Sequence, residues 1–412
     1  MKRLVNSDIR YEQHDTEILD RIPRENLWHS EMAEIERRFI NGIIRSHHPR
    51  RLLEVGVSQG AGTLVLLNAI ADMPESRLLS IDVLEHYYRN SSLPVGYLAD
   101  GVPNKEQWSL IRGKDPSEVL GSDKGKFDFC IIDTAHVHPI VSLNFLSILP
   151  YLTDDAVVLI HDTSAYTKWP LGSFPHTLLA SALLFRTVVA DKLCPVDSDY
   201  LSHCNGFANL SALQITSDTR RYIGNVFSTL ALPWGIYPAG QLEAIAACVR
   251  NHYDSNCIEA FLNAVELNLR LFCGDFREYV VGDLRKVLAP IADIERCDTF
   301  VYYGFGERAR HLLKLSKKMK VRFPDEIWDI AKNGCRHDGI PVVGPKFETV
   351  SRGMNENMCV INTIQDYYVK VDVAYKFREK GFTNIVYAAD FEKALLVRQY
   401  ERISGGSPWH RS

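Results

Sequence analysis

The sequence predicts an α/β protein in which a doubly wound parallel sheet comes first, a helical bridge follows and a second, smaller α/β domain comes last. Apolar segments of strand length alternate with amphipathic segments of helix length in both α/β parts. Acidic or histidine residues follow several of these strands, and a glycine-rich turn follows one strand in each part, at Gly56 and at Gly304. Parallel strands joined by helices place such residues at one sheet edge, where these sheets bind ligands.

Length and composition exclude several classes of protein. The chain has 412 residues, enough for two or three domains. Hydrophobic residues make up 46% and charged residues 24%, which excludes a disordered or collagen-like chain. The formal net charge is −4, so no overall basic field attracts nucleic acid, and we expect no nucleic-acid partner.

Cysteine spacing and apolar runs predict the compartment. The nine cysteines include no C-x-x-C pair, which excludes a zinc knuckle and a thioredoxin-like site. Scattered thiols of this kind are typical of the reducing cytoplasm. The N-terminus has no apolar stretch after its basic residues, and no apolar run reaches the length of a membrane span. We therefore expect a cytoplasmic protein without membrane insertion.

The first domain, residues 1–215, begins with a polar segment and then a helix whose apolar residues recur every three or four positions. Pro49 follows the end of this helix, and the next apolar segment is a strand that runs into the first glycine turn. The later strands are short and almost wholly apolar, as central parallel strands are. In chain order the predicted elements are helix 25–44, strand 51–56, helix 62–70, strands 77–83, 108–112 and 127–133, helix 142–149 and strand 156–160.

Residues 216–295 are predicted to form the helical bridge, with amphipathic helices over 241–249 and 258–271. The bridge carries no chemical motif, so we expect it to pack or self-associate, and homo-oligomerisation stays open. The second domain is residues 296–403, and 404–412 is predicted to be a loose tail. The elements of the second domain are strand 300–303, helix 310–317, strand 358–364, helix 371–380 and strand 384–387.

The first glycine turn is the most informative segment of the chain. It reads Glu54-Val-Gly56-Val-Ser-Gln-Gly60-Ala-Gly62. A dinucleotide-binding fingerprint starting at Gly56 would need glycine at positions 58 and 61, where this chain has serine and alanine. The glycines let a backbone approach a ligand closely, and the early carboxylate suits a cationic or amino-bearing ligand better than a pyrophosphate.

This segment resembles the first motif of class I S-adenosylmethionine-dependent methyltransferases. The resemblance implies that the loop, with Glu54, Gly56, Gly60 and Gly62, holds the methionine part of S-adenosylmethionine. It also implies that Asp82, which ends the second strand, binds the ribose hydroxyls through charge-assisted hydrogen bonds. Two further positions follow the third strand where the family contacts adenosine, Gly113 and Asp115.

Two later strands each deliver an aspartate and a histidine to the same edge. The fourth strand ends in Asp133-Thr-Ala-His136, and the fifth ends in His161-Asp162. This pattern resembles a methyltransferase subgroup that includes macrolide-sugar O-methyltransferases and cephalosporin hydroxylase-like proteins, over about residues 30–165. The resemblance implies a divalent metal held by Asp133 and Asp162, with His136 as the catalytic base beside Asp133.

Whether a metal binds is left open, because His161 stands where metal-dependent relatives usually carry another carboxylate. Oxygen ligands favour Mg²⁺, whereas an imidazole ligand shifts the preference to another divalent metal. The alternative is that these groups only hydrogen-bond substrate and loops. Methyl transfer to a hydroxyl needs the acceptor proton to be removed, so the paired aspartates and histidines favour an oxygen acceptor. The aromatic residues that follow, Tyr166, Trp169 and Phe174, could form a ring-stacking lid or an ordinary packed loop.

The second glycine turn, Gly304-Phe-Gly306-Glu-Arg308-Ala309, matches a G-x-G-x-x-A pattern between a strand and a helix. It resembles the small Rossmann-like domains of bacterial surface-polysaccharide and nucleotide-sugar proteins, as does the later segment 338–342. Basic residues at the start of the helix could hold a phosphate or a sugar nucleotide. The alternative is a solvated basic helix face on a domain that binds nothing.

The resemblances together imply a methyltransferase that methylates a hydroxyl of a sugar or sugar-bearing intermediate in surface-polysaccharide or natural-product biosynthesis. Its substrate would be a small molecule or saccharide. Two alternatives remain: a non-catalytic protein that binds nucleotide sugars or acts as a scaffold, and a nucleotide-sugar oxidoreductase centred on the second glycine turn.

Overall fold

The computed structural model describes residues 4, 32–121, 125–167, 179–273, 287–346 and 357–405. The chain divides into two compact units, residues 1–264 and 265–412, and the boundary falls inside a long helix. The division into a first domain, a bridge and a second domain at residues 215 and 295 stays a prediction.

The first unit alternates strands and helices as predicted. Its strands are β1 (Arg51–Val55), β2 (Arg77–Asp82), β3 (His86–Tyr87), β4 (Asn90–Pro94), β5 (Trp108–Arg112), β6 (Phe127–Ile132), β7 (Leu152–His161), β8 (Asp191–Leu193) and β9 (Leu210–Gln214). Its helices are α1 (Glu34–His47), α2 (Ala61–Ala69), α3 (Pro116–Val119), α4 (Ile140–Ile148), α5 (Ala180–Thr187), α6 (Ser198–His203), α7 (Ser217–Arg221), α8 (Gly224–Thr229) and α9 (Leu242–His252). Helix α10 (Ser255–Cys273) crosses the boundary between the units.

The main sheet has seven strands in the order β5-β2-β1-β6-β7-β9-β8, and β9 is antiparallel to both of its neighbours. The central strands are buried on both faces, because helices cover both sides of a parallel sheet. Strands β1, β2, β6 and β7 are parallel, so their carboxyl ends share one edge. The predicted α/β class is confirmed.

Strand β7 and the hairpin of β3 and β4 differ from the sequence prediction, and no element between β7 and α7 was predicted. Strand β7 begins at Leu152 rather than at position 156. Three of its first four residues are polar, so this part of the strand lacks the apolar pattern on which the prediction depended. The hairpin of β3 and β4 was not predicted, because Asn90–Pro94 is mostly exposed and lacks alternating apolar residues. The hairpin returns to the first glycine loop, where Gly96 donates its N–H to the carbonyl of Ser58 over 2.9 Å.

The second unit contains its own sheet of six strands, ordered β12-β13-β11-β10-β14-β15, in which only β12 is antiparallel to its neighbour. The strands are β10 (Thr299–Tyr303), β11 (Glu326–Trp328), β12 (Cys335–His337), β13 (Ile340–Val343), β14 (Met358–Asn362) and β15 (Asn384–Tyr387). The helices are α11 (Ala289–Arg296), α12 (Glu307–Met319), α13 (Tyr367–Glu379) and α14 (Ala388–Ser404). Ser404, predicted to begin the tail, is the last residue of α14, and residues 406–412 lie outside the described ranges. Within those ranges, none of the helices combines the length and apolarity that crossing a membrane needs.

Candidate functional site

The first glycine loop follows β1 at the carboxyl edge of the sheet. Gly56 has a φ of +89°, and a Cβ at this position would lie 1.9 Å from the carbonyl oxygen of Asp133. Its N–H donates to the carbonyl of Ile81 at the end of β2. Only glycine fits between these two strands, which brings the loop directly against the Asp133 segment.

The other two glycines of the loop also allow close packing. Gly60 has a φ of +97°, and a Cβ there would lie 3.0 Å from the Cα of Gly96 in the hairpin segment. A Cβ on Gly62 would lie 3.3 Å from a carboxyl oxygen of Glu54. The loop is therefore closed on one side by the hairpin and from below by Glu54.

Glu54 lies beneath the loop rather than at its open side. Its carboxyl group is buried and accepts hydrogen bonds from the hydroxyls of Thr63 at 2.8 Å and Ser80 at 2.5 Å. Burial raises its pKa to about 8, although the two hydroxyl donors oppose that shift. This placement favours a role in holding the loop together.

Asp82 fastens the loop from the end of β2. One carboxylate oxygen accepts from the backbone N–H groups of Val57 at 2.9 Å and Ser58 at 3.0 Å, and the other accepts from Leu84 at 2.8 Å. A carboxylate offers about four acceptor positions, so one remains for a ligand hydroxyl.

The two predicted adenosine contacts follow β5. Gly113 has a φ of +69° and donates its N–H to the carbonyl of Leu84. Asp115 is buried and caps α3 by accepting from the backbone N–H of Ser117 at 2.9 Å. Gly113 thus lies beside the segment that follows Asp82, whereas the Asp115 carboxylate serves its own helix.

The two Asp–His pairs come together at the carboxyl ends of β6 and β7; we call Asp133, His136, His161 and Asp162 the Asp–His cluster. His136 Nε2 lies 3.3 Å from Asp133 Oδ1 and 3.4 Å from Asp162 Oδ2. His161 Nδ1 lies 3.2 Å from Asp133 Oδ1 and 3.6 Å from Asp162 Oδ1. Parallel neighbouring strands produce this meeting, because each pair follows the end of its strand.

The charges of the cluster shift its pKa values. Burial would raise the pKa of Asp133, but the nearby imidazoles of His161 and His136 outweigh it and hold the pKa of this carboxyl below its usual range. Burial would likewise lower the pKa of His161, but Asp133 and then Asp162 raise it to about 9. Asp133 is therefore a carboxylate and His161 an imidazolium near neutral pH.

Two members of the cluster have left-handed backbones. The φ angles are +53° at His136 and +59° at Asp162, a conformation that costs L-residues free energy and is found at functional sites. His136 Nδ1 is buried and finds no hydrogen-bond partner among the described residues. Nε2 faces two carboxylates, so Nδ1 is the ring nitrogen of His136 that stays unpartnered among the described residues.

The cluster also offers ligands for a metal ion. Asp133, His136 and His161 each place one ligand atom so that the three atoms lie within 4.8 Å of one another. His161 Nδ1 makes no hydrogen bond of good geometry to the described residues, despite its close carboxylate neighbours. Once His161 gives up its proton, the donor set fits a divalent ion, and its two imidazole nitrogens favour a transition metal over Mg²⁺.

Tyr166 lies on the segment after the cluster. Its hydroxyl accepts from Arg186 at 2.8 Å, and the same guanidinium lies over the rings of Tyr166 and Phe207. The sequence interpretation did not include Phe207, which is 47% exposed. Trp169 and Phe174, the other members of the predicted lid, lie outside the described residues.

The second glycine loop repeats part of this arrangement in the second unit. Gly304 has a φ of +95°, and its N–H donates to the carbonyl of Trp328. Gly306 stands directly before α12, and Arg308 on that helix pairs with Glu392. The guanidinium of Arg308 therefore already has a carboxylate partner. A nucleotide or sugar site at Gly304, Gly306 and Arg308 stays a prediction.

Comparison of the sequence with known protein families gives a match within the first unit. Residues 53–163 match a family described as a methyltransferase domain. Two similar solved structures are the O-methyltransferase TomG of Streptomyces achromogenes, involved in tomaymycin synthesis, and an O-methyltransferase of Bacillus cereus in complex with SAH. The first is 15% identical, with a TM-score of 0.37, and covers 51% of this chain and 96% of its own. The second is 14% identical, with a TM-score of 0.34, and covers 48% of this chain and 89% of its own.

At these scores the likeness to solved structures does not bear on activity. None of the curated proteins matches the chain in sequence. The family match spans the glycine loop, Asp82 and the whole Asp–His cluster. Residues 53–163 are therefore similar in sequence to a methyltransferase domain, and their α/β fold agrees with that likeness.

Proposed function

We propose that the protein transfers the methyl group of S-adenosylmethionine to a hydroxyl oxygen. The observation that carries the proposal is His136, whose Nε2 lies between two carboxylates while Nδ1 has no partner among the described residues. A histidine held in this way is suited to take a proton from a hydroxyl. An amine acceptor is already nucleophilic and would need no such group.

The first glycine loop and Asp82 would hold S-adenosylmethionine. When bound, this cofactor supplies a methyl group on a positively charged sulfur. The carboxylates of Asp82 and Asp133 at the same edge favour a cation. The remaining acceptor position of Asp82 suits a ribose hydroxyl.

His136 would act as the base. With the proton on Nε2 facing Asp133 and Asp162, the lone pair of Nδ1, which is buried in this structure, would take the proton of the acceptor hydroxyl once the acceptor reaches it. The two carboxylates then stabilise the imidazolium that forms, as a buried aspartate does in a catalytic triad. Holding the acceptor in line with the methyl group supplies much of the remaining rate.

The acceptor is proposed to be a sugar or sugar-bearing small molecule of surface-polysaccharide or natural-product biosynthesis. The support is the resemblance of the Asp133–His136 and His161–Asp162 pairs to macrolide-sugar O-methyltransferases. The acceptor panel for methyl transfer therefore includes both free and nucleotide-linked sugars.

A second arrangement of the same site uses a metal. A divalent ion held by Asp133, His136 and His161, with Asp162 beside them, would supply positive charge that stabilises a developing alkoxide. His136 would then be a ligand instead of the base. The closeness of the three ligand atoms supports this candidate.

His136→Ala separates the two arrangements. If His136 is the base, methyl transfer to a panel of sugar hydroxyls should fall by roughly 10²–10⁴-fold, and a chelator should have little effect. The affinity for S-adenosylmethionine, measured by calorimetry, should hardly change. The matched control is His47→Ala, because His47 contacts the carbonyl of Asp128 at the opposite end of the strands.

Loss of activity on chelation, restored by added metal, would instead support the metal arrangement. Activity that is insensitive both to the chelator and to His136→Ala would mean that the acceptor needs no deprotonation. Transfer to nitrogen would then replace the proposal.

A further inference from the structure

Asn209 lies beside the Asp–His cluster although it is distant from it in the sequence. It directly precedes β9, which runs antiparallel to β7. Its side-chain Nδ2 donates to Asp162 Oδ1 at 3.0 Å and lies 3.5 Å from His161 Nε2, and its Oδ1 accepts from the Ser164 hydroxyl at 2.9 Å. Its backbone carbonyl accepts from the N–H of Thr163 at 2.9 Å. Asn209 is 3% exposed, so water cannot replace these partners freely.

These contacts act on Asp162, one of the two strained residues of the cluster. Asp162 has a left-handed backbone, and such a conformation persists only where its surroundings hold it. The backbone carbonyl of Asn209 binds Thr163, the residue after Asp162, and its side-chain amide binds the carboxylate of Asp162. With Oδ1 tied to Asn209, Oδ2 of Asp162 faces His136 Nε2 at 3.4 Å.

A buried pair fixes Asn209 in turn. The hydroxyl of Tyr200 accepts from the backbone N–H of Asn209 at 2.7 Å and from that of Leu210 at 3.2 Å, and it donates to Glu36 Oε1 at 2.8 Å. Glu36 is 2% exposed, and its other oxygen accepts from the N–H of Ala33. A continuous chain of hydrogen bonds thus joins α1 to the cluster through Tyr200 and Asn209.

We propose that Asn209 is a positioning residue for methyl transfer, which orients the Asp162 carboxylate toward His136, and that Tyr200 and Glu36 hold Asn209 in place. The inference rests on the proposed function, in which His136 is the base. Residues that orient catalytic or ligating groups typically change activity by about 10–100-fold when their hydrogen bond is removed.

Asn209→Asp is the sharpest test, because it keeps the size of the side chain and its acceptor for Ser164. It replaces the donor that faces Asp162 with a second carboxylate oxygen. We expect kcat to fall by about 10–100-fold, with the KM for S-adenosylmethionine unchanged. The matched control is Asn205→Asp on the same segment, whose amide donates to the carbonyl of Thr167 and not to the cluster; its kcat should stay near that of the wild type.

The ring nitrogens of His136 provide a readout that does not depend on turnover. Their ¹⁵N signals, assigned by their loss in His136→Ala, should shift in Asn209→Asp and stay in place in Asn205→Asp. A wild-type protein that methylates no hydroxyl would refute the proposed function, while the His136 signals would still decide the role of Asn209. If Asn209→Asp fails to fold, Tyr200→Phe is the replacement variant. It should lower kcat and shift the same ¹⁵N signals of the His136 ring. A folded Asn209→Asp protein, or Tyr200→Phe in its place, with wild-type kcat and unshifted signals would overturn the inference.

Discussion

At the scale of single residues, Asp82 does two things at once. It fastens the first glycine loop through the amides of Val57 and Ser58, and it has one acceptor position left for a ligand. In the proposed function, its effect on S-adenosylmethionine would therefore include the shape of the loop as well as direct contact.

Asp82→Ala should weaken the binding of S-adenosylmethionine at least tenfold, because a hydrogen bond to a charged group contributes about 1.5–3 kcal/mol. Calorimetric titration measures this. The matched control is Asp128→Ala, since Asp128 accepts from the N–H groups of Arg50 and Arg51 in the same way at the opposite end of the strands. Equal affinities of the two variants would contradict the role of Asp82.

Glu54 should make the stability of the first unit depend on pH. Burial raises its pKa from an ordinary 4.5 to about 8, so between these values the folded protein holds a proton that the unfolded chain has lost. The stabilisation is complete below pH 4.5 and is lost as the pH rises through 8, by up to about 1.4 kcal/mol per pH unit.

Denaturant unfolding of the wild type and Glu54→Gln across this pH window isolates the effect, because contributions common to both, such as that of His161, cancel in the difference. The wild type should lose stability relative to Glu54→Gln as the pH rises. A difference in unfolding free energy that stays constant with pH would mean that Glu54 is ionised in the folded protein.

At the scale of elements, the two units build their glycine loops in the same way without repeating sequence. The first glycine of each loop donates its N–H to a carbonyl at the end of the neighbouring strand, Gly56 to that of Ile81 and Gly304 to that of Trp328. An aspartate near that point then accepts from the loop, as Asp329 does from the N–H of Phe305 at 2.7 Å. A strand, a tight turn and a helix over a parallel sheet need this fastening whether or not a ligand binds.

The Arg308–Glu392 pair joins α12 to α14 in the second unit, and the ring of His311 contacts the same carboxylate at 2.9 Å. Arg308→Ala should lower the stability of this unit by roughly 1–3 kcal/mol, because it removes a charged partner from a mostly buried carboxylate. Lys314→Ala, on an exposed position of the same helix, is the control and should change little. Thermal unfolding measures both, and equal melting temperatures would mean that the pair contributes nothing.

At the scale of the whole molecule, the seven-stranded sheet and the Asp–His cluster lie entirely within residues 1–264. A chain that ends after Cys273, at the end of α10, should therefore fold and bind S-adenosylmethionine within a few-fold of the full chain's affinity. Circular dichroism and calorimetric titration of the two proteins make the comparison. A truncated protein that is folded but does not bind the cofactor would show that the second unit is needed for the site.

The sequence by itself determined the α/β class, most strand positions of the first unit and the glycine turns, because buried parallel strands are apolar runs and turns require glycine. It did not reveal β9, whose buried strand contains Ser211 and Gln214, or the exposed hairpin of β3 and β4. Only the tertiary structure showed that Glu54 lies beneath the loop and that Asn209 reaches Asp162, since neither burial nor contact between distant segments leaves a local pattern. Spacing along the chain predicts which residues reach the sheet edge, whereas strand order and backbone conformation decide which of them meet.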